Sequence, residues 1–249
     1  MIPSRRVEKI RGSFRRLRLR SRSMAPRPLK LVVFDATDTP SAARARRLAP
    51  GASATGRAMG SPGLSPIWRA GTLLHRLAFA ADASLAATSW SEALEWAAAT
   101  SRARGRPIGS LQVWGHGGWG SMDIGKTSLD RAALRPGHAL VAPIDAFKAA
   151  LEGPESIFWL RCCSAFGHTT GQQFAEALAV RLGCRVAGHT HIIGVFQSGT
   201  HSLRPGGKAT WDAGEGVKRS GGNAVSALTS APDAPNTVSC LALGLPEDY

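Results

Sequence analysis

The hydrophobic positions of the chain form short runs separated by segments of helical spacing. Apolar runs rich in Val, Leu, Ile and Phe predict strands at residues 29–36, 110–114, 155–161 and 184–187. Each run is four to eight residues long, as expected for a strand that is buried on both faces. A further apolar run predicts a last strand at residues 236–243, with Cys240 in the core.

Helix signals fall between these strands. Ser89 and Glu92 form a capping box ahead of a predicted helix at residues 93–103, which Gly105 and Pro107 end. Pro143 predicts the start of a helix at residues 143–152. A third helix is predicted at residues 171–182, where Phe174, Leu178 and Leu182 recur every fourth position before Gly183.

The alternation of strands and helices predicts an α/β fold with a mostly parallel central sheet and helices on both faces. Residues 29–249 are expected to form this domain, and residues 50–66, rich in Gly, Ser and Pro, an irregular loop. No run of about 18 apolar residues predicts a membrane span.

The net charge of +14 is concentrated in one segment. Residues 1–30 carry eleven Lys and Arg against one acidic residue, so the rest of the chain has a net charge of only +4. We therefore expect a basic, unstructured tail at residues 1–28, or an upstream extension if Met24 is the start, rather than a nucleic-acid-binding fold. Contact between this tail and nucleic acid is the alternative.

Four cysteines in 249 residues are too few for a disulfide scaffold. We expect reduced thiols, a cytoplasmic location and a cysteine available for chemistry.

The candidate site lies at two strand ends. His116 follows the second predicted strand and Cys163 the third, and parallel sheets carry their reactive groups at the carboxyl ends of strands. A thiolate is a strong nucleophile, and an imidazole can protonate the leaving group. The backbone N–H groups of Gly117 and Cys163 are candidate oxyanion donors.

The blocks LQVWGHGGWG at 111–120 and SIFWLRCCSAFG at 156–167 resemble the two signature segments of the caspase-like cysteine peptidases, which include caspases and metacaspases. The order His then Cys and the spacing of 47 residues agree with that group. Residues 171–190 resemble the helix and strand of an uncharacterised bacterial branch of the fold. The resemblance extends over residues 29–195.

The resemblance implies a three-layer sandwich and a cysteine endopeptidase without a cofactor, which cleaves protein or peptide substrates through a thioester. It assigns the nucleophile to Cys163, the second cysteine of the pair, and Cys162 is the alternative. Arg161 stands where metacaspases carry an Asp that binds a basic side chain. We therefore do not expect a preference for cleavage after Arg or Lys. We expect an acidic or neutral substrate group instead.

Further side chains are candidates for substrate binding or for orienting His116. Asp35 and Asp123 lie near the predicted strand ends, and Trp119 adjoins the Gly-rich block. His189 and His191 follow the fourth predicted strand and share one face of the extended backbone. The substrate-binding candidates are Asp35, Trp119, Arg161 and His189.

Four alternatives remain open. One is a catalytically silent caspase-like module that binds a partner. Another is a different cysteine acyl transfer such as deamidation. The third is a Cys-then-His arrangement that uses His189 or His191 as the base. The fourth is a zinc site built from Cys162, Cys163, His168, His189 and His191, although the spacing matches no zinc motif and no metal is expected.

Overall fold

A computed structural model describes residues 26–42, 63–246 and 249. Its centre is a six-stranded sheet with the order β10-β8-β7-β3-β1-β2, in which only β10 runs antiparallel to its neighbour. The strands are β1 Leu29–Asp35, β2 Ala83–Ala87, β3 Ile108–Trp114, β7 Ile157–Arg161, β8 Arg185–His189 and β10 Thr200–Leu203. The predicted mostly parallel sheet is confirmed.

The helices of the described residues are α1 Ser65–Leu77, α2 Trp90–Arg104, α3 Val141–Ala149 and α4 His168–Leu182. Three smaller sheets are formed by β4 His116–Gly118 with β5 Ser121–Ile124 and β6 Thr127–Asp130, by β11 Val217–Ser220 with β12 Asn223–Ala227, and by β9 Phe196–Gln197 with β13 Val238–Ser239. Within these residues, no helix is both long and apolar enough to cross a bilayer.

The helix boundaries follow local hydrogen bonds. Ser89 caps α2 by accepting from the Glu92 N–H, and the Glu92 carboxylate accepts in turn from the Thr88 N–H at 2.7 Å. Gly105 and Gly183 end α2 and α4 in the left-handed conformation, with φ of 58° and 68°. The predicted caps of these two helices are confirmed.

The two faces of the sheet carry different chemistry. The first face is apolar: Leu31 and Val33 of β1, with their counterparts on the neighbouring strands, pack against α2, α3 and α4. On the second face, Val32, Phe34 and Trp114 pack against α1. Helices therefore lie on both faces, as predicted.

The second face also contains a buried cation. The Arg161 guanidinium lies between the rings of Trp159 and Trp114, at 4.6 and 5.3 Å from their centroids. It donates to the side-chain oxygens of Gln112 and Gln197 and to the carbonyl oxygens of Ser239, Cys240 and Ala242. Burial lowers the pKa of Arg161 to about 10, so the group stays charged at neutral pH.

Helix α1 and the central strands β2 and β10 were not predicted. Helix α1 begins at Ser65, inside the predicted loop 50–66, whose residues 50–62 lie outside the described residues. The predicted last strand is only Val238–Ser239, and Cys240 is half-buried rather than in the core. The chain turns after Ser239, where the Ala242 N–H donates to the Ser239 carbonyl and Arg161 binds the carbonyl oxygens of Ser239 and Cys240. Residues 1–25 of the predicted tail also lie outside the described residues.

We expect Arg161→Leu to reduce the free energy of unfolding by about 3–5 kcal/mol, because it leaves buried acceptors of the C-terminal segment without a donor. The measurement is urea denaturation of the full chain. The control is Arg204→Ala, which breaks an exposed ion pair with Glu155 and should leave the free energy of unfolding close to that of the wild type. Equal losses in the two variants would show that Arg161 does not hold this segment.

Candidate active site

The register between β3 and β7 brings His116 and Cys163 to the same edge of the sheet. These strands are adjacent and parallel, and Trp114 is the partner of Arg161 at their carboxyl ends. His116 and Cys163 each lie two residues beyond this last pair. Since neighbouring strands are about 4.8 Å apart, the two residues emerge next to each other.

The two adjacent cysteines have opposite environments. Cys162 is fully buried in the core of the first face, beneath β4. A Cβ added at Gly117 would lie 2.6 Å from the Cys162 sulfur, so the strand passes over this thiol in close contact. Burial raises the pKa of Cys162 well above its ordinary value. Of the pair, only Cys163 reaches solvent.

The Cys163 sulfur lies close to backbone donors. Burial raises the pKa of the Cys163 thiol, and the backbone N–H groups of Ile193 and of Cys163 itself oppose this shift only in part. The resting group is therefore a thiol at neutral pH, with donors already directed at the atom that would become negative.

The loop after Cys163 is held in an unusual conformation. Ser164 and His168 have positive φ values of 47° and 61°, which side chains rarely adopt and which cost about 1 kcal/mol or more each. Hydrogen bonds to the neighbouring segment offset this conformational cost. The Ser164 N–H donates to the His191 carbonyl, and the Phe166 N–H donates to the His189 carbonyl.

A polar network supports the segment that carries Ile193. The Thr190 hydroxyl donates to the Glu215 carboxylate at 2.8 Å and lies 2.9 Å from Nδ1 of His191. The same carboxylate oxygen lies 2.9 Å from Nε2 of His201. These contacts fix the chain immediately before Ile193, and hence the position of its N–H beside Cys163.

His116 is oriented by a carboxylate that sequence analysis did not find. Its Nε2 lies 2.9 Å from Oδ2 of Asp38; the His116 side chain is 42% exposed, and that of Asp38 is 1% exposed. Asp38 also accepts from the Leu64 N–H, and the Trp68 ring packs edge-on against His116. Because the carboxylate accepts, the imidazole donates from Nε2, which leaves Nδ1 to take up a proton.

No hydrogen bond of the described residues joins His116 to either carboxylate proposed for this role. Asp35 is buried and accepts from the backbone N–H and the hydroxyl of Thr37, so it closes the turn after β1. Asp123 is exposed and lies opposite His116 in the pairing of β4 with β5. Asp38 has no motif that would distinguish it from Asp35, because only the turn brings it to His116.

The predicted substrate-binding side chains separate into two groups. Trp119 is half-buried and stacks on His168, with ring centroids 5.0 Å apart. Arg161 and His189 are buried, which corrects the expectation that they line an open cleft. His189 contacts Nε1 of Trp159 and the hydroxyl of Thr200, and burial lowers its pKa to about 3, so it is neutral. His191 is also buried.

Among the described residues, no group of three or more His, Cys, Asp or Glu is arranged to hold a metal ion. The five zinc candidates from the sequence do not form such a group.

The fold and site together define a mixed α/β protein with a cysteine and a histidine at the carboxyl edge of a mostly parallel sheet. No family model matches the chain, and no curated protein matches it either.

Gly117 and Gly118 make a matched pair for testing the contact over Cys162. We expect Gly117→Ala to reduce the free energy of unfolding by about 1–3 kcal/mol, because the new methyl meets the Cys162 sulfur and the Ser121 carbonyl oxygen. Gly118→Ala places its new Cβ in open space and should change the free energy of unfolding by less than about 0.5 kcal/mol. Urea denaturation measures both, and equal stabilities would refute the close packing.

The raised pKa of Cys163 predicts that iodoacetamide modifies this thiol slowly at neutral pH. Because the thiolate fraction of Cys163 at pH 7.5 is below that of an ordinary thiol, modification should be slower than that of glutathione. The rate of modification should keep rising with pH beyond the ordinary cysteine pKa of about 8.5. Mass spectrometry of the tryptic peptide measures the rate at each pH. Cys162 in the same peptide should remain unmodified in the folded chain, and a plateau for Cys163 below pH 7 would contradict the burial effect.

Proposed function

We propose that the protein is a cysteine peptidase that attacks peptide carbonyls with Cys163 and uses His116 for proton transfer. The observation that carries the proposal is the register of β3 and β7, which brings the two residues out of neighbouring strands at the same level. The partial exposure of Cys163 and the full burial of Cys162 favour the second cysteine as the nucleophile.

The proton pathway follows from the resting thiol. Because burial raises the pKa of Cys163, a preformed ion pair is not the starting state, and the thiol must lose its proton as it attacks. Nδ1 of His116 takes this proton while Asp38 holds the ring through Nε2 and stabilises the imidazolium.

The remaining steps follow from this arrangement. The sulfur bonds to the carbonyl carbon, and the oxyanion accepts hydrogen bonds from backbone N–H groups, for which those of Gly117 and Cys163 are the candidates. His116 then protonates the leaving amine as the C–N bond breaks, and a thioester forms. Water, deprotonated by His116, hydrolyses the thioester and restores the thiol.

Substrate preference has less support. An acidic substrate group was expected from Arg161, but that guanidinium is enclosed by protein acceptors and two Trp rings. The stack of Trp119 on His168 is a better candidate surface for a substrate side chain, because it adjoins the Gly-rich block and α4.

One observation favours a second candidate function. Catalytic cysteines often have a lowered pKa, and here burial raises it. That environment also suits a catalytically silent caspase-like module that binds a partner protein.

The test is hydrolysis of a library of acetylated tetrapeptides that carry a fluorogenic amine as the leaving group. We expect Cys163→Ala and His116→Ala to abolish cleavage, and Cys162→Ala to retain it with a stability loss of about 1 kcal/mol. Asp38→Asn should lower kcat about 100-fold or more with little change in KM, since it disturbs the tautomer of His116.

A covalent probe separates the two candidates. A peptidyl acyloxymethyl ketone should add its mass to Cys163 in the wild type and fail to react with His116→Ala. If no library member is cleaved and no adduct forms at Cys163, the peptidase proposal is wrong, and the silent module remains.

A further inference from the structure

Helix α1 is packed with its polar side inward. It buries Ser65, Thr72 and His75 against the sheet. Its Ile and Leu side chains, together with Phe79 just after it, face outward and are 53% to 83% exposed: Ile67, Leu73, Leu74, Leu77 and Phe79. A continuous apolar surface of this kind marks an interaction site rather than an ordinary helix exterior.

A groove runs between α1 and strand β2, with a volume of about 480 Å³. Ser84 and Ala86 of β2 form its floor, and Pro66, Ala70 and Leu73 of α1 line its wall. The small side chains of the floor leave room for side chains from another molecule.

Strand β2 lies at the end of the central sheet, and no described strand pairs with its outer side. The Ala36 N–H donates to the Ala87 carbonyl, so Ala87 directs its backbone groups inward, to β1. Because alternate residues of a parallel strand direct their backbone groups to opposite sides, the N–H groups of Ser84 and Ala86 point outward. An outer edge of this kind is a template for an added strand.

Two cations line the same groove. Arg69 and Arg76 lie on the groove side of α1, two turns apart. Arg69 lies over the Phe34 ring at 6.0 Å, and no carboxylate of the described residues forms an ion pair with either arginine.

We propose that this groove binds an extended, acidic segment of a partner protein, which adds a strand to the edge of β2. Its backbone pairs with Ser84 and Ala86, its apolar side chains enter the groove beside Leu73, and its carboxylates meet Arg69 and Arg76. This site is separate from the candidate active site and does not depend on peptidase activity.

The charges argue for this partner over two others. Neither α1 nor β2 contains Asp or Glu, so a second copy joined through the same face would bring arginines together without counter-charges. A bilayer would contact the outward Leu74 and Leu77, whereas Arg69 and Arg76 face the groove.

The probe is a fluorescein-labelled decapeptide of alternating Val and Glu, compared with the same peptide carrying Lys in place of Glu. Fluorescence anisotropy with the full chain should detect binding of the Glu peptide alone. Arg69→Glu and Arg76→Glu should each weaken it about tenfold or more, and the double variant should gain binding of the Lys peptide. Arg135→Glu, at an exposed arginine outside the groove, is the matched control.

The backbone contribution is tested by Ser84→Pro. It removes an outward N–H without removing a bond to β1, and it should weaken binding of the Glu peptide about tenfold while leaving the thermal midpoint within a few degrees. If Ser84→Pro does not fold, the charge swap decides the question.

Several results would overturn the proposal. They are failure of the Glu peptide to bind, equal binding by the charge-reversed variants, a dimer in sedimentation velocity that Leu73→Asp dissociates, or binding to phosphatidylserine vesicles that Leu73→Asp abolishes.

Discussion

The parallel pairing of β3 with β7 is the constraint on which the rest of the structure depends. It is buried on both faces, joins the two halves of the sheet, and aligns Trp114 with Arg161 at the edge where the reactive side chains emerge. A slip of one residue would exchange the faces of every side chain on β7. Arg161 would then enter the apolar core, and Leu160 would meet the C-terminal segment.

The unequal chemistry of the two faces follows from this register. The first face is uniformly apolar and receives three helices, as in many α/β proteins. The second face contains Gln112 and Arg161, and the elements that cover it must satisfy polar groups. The C-terminal segment does so with carbonyl oxygens. Helix α1 covers the apolar part of this face, where the His75 ring packs edge-on against Trp114. Burial lowers the pKa of His75 to about 4, so it is neutral there.

The candidate site combines an accessible but largely desolvated thiol with a histidine held by a buried carboxylate. Burial alone would keep Cys163 unreactive, because it raises the pKa of the thiol. The donors from Ile193 and Cys163, and the basic nitrogen that Asp38 leaves on His116, are the groups that can oppose this effect during a reaction. The polar network around Glu215 belongs to the same arrangement, because it holds the segment that supplies one of these donors.

Local pattern determined much of this protein. Short-range hydrophobic runs and turn residues predict four of the six central strands, β1, β3, β7 and β8, the caps of α2 and α4, and the position of His116 and Cys163 at strand ends. Tertiary structure alone decided that Asp38 meets His116, that Cys162 is buried beneath Gly117, and that Arg161 binds the C-terminal segment. Some of these contacts join residues that are distant in the chain, and others distinguish between adjacent residues of the same type. No local sequence pattern encodes such contacts. Helix α1 escaped prediction because it begins within a segment rich in Gly, Ser and Pro, and only the tertiary structure shows that its apolar side faces outward.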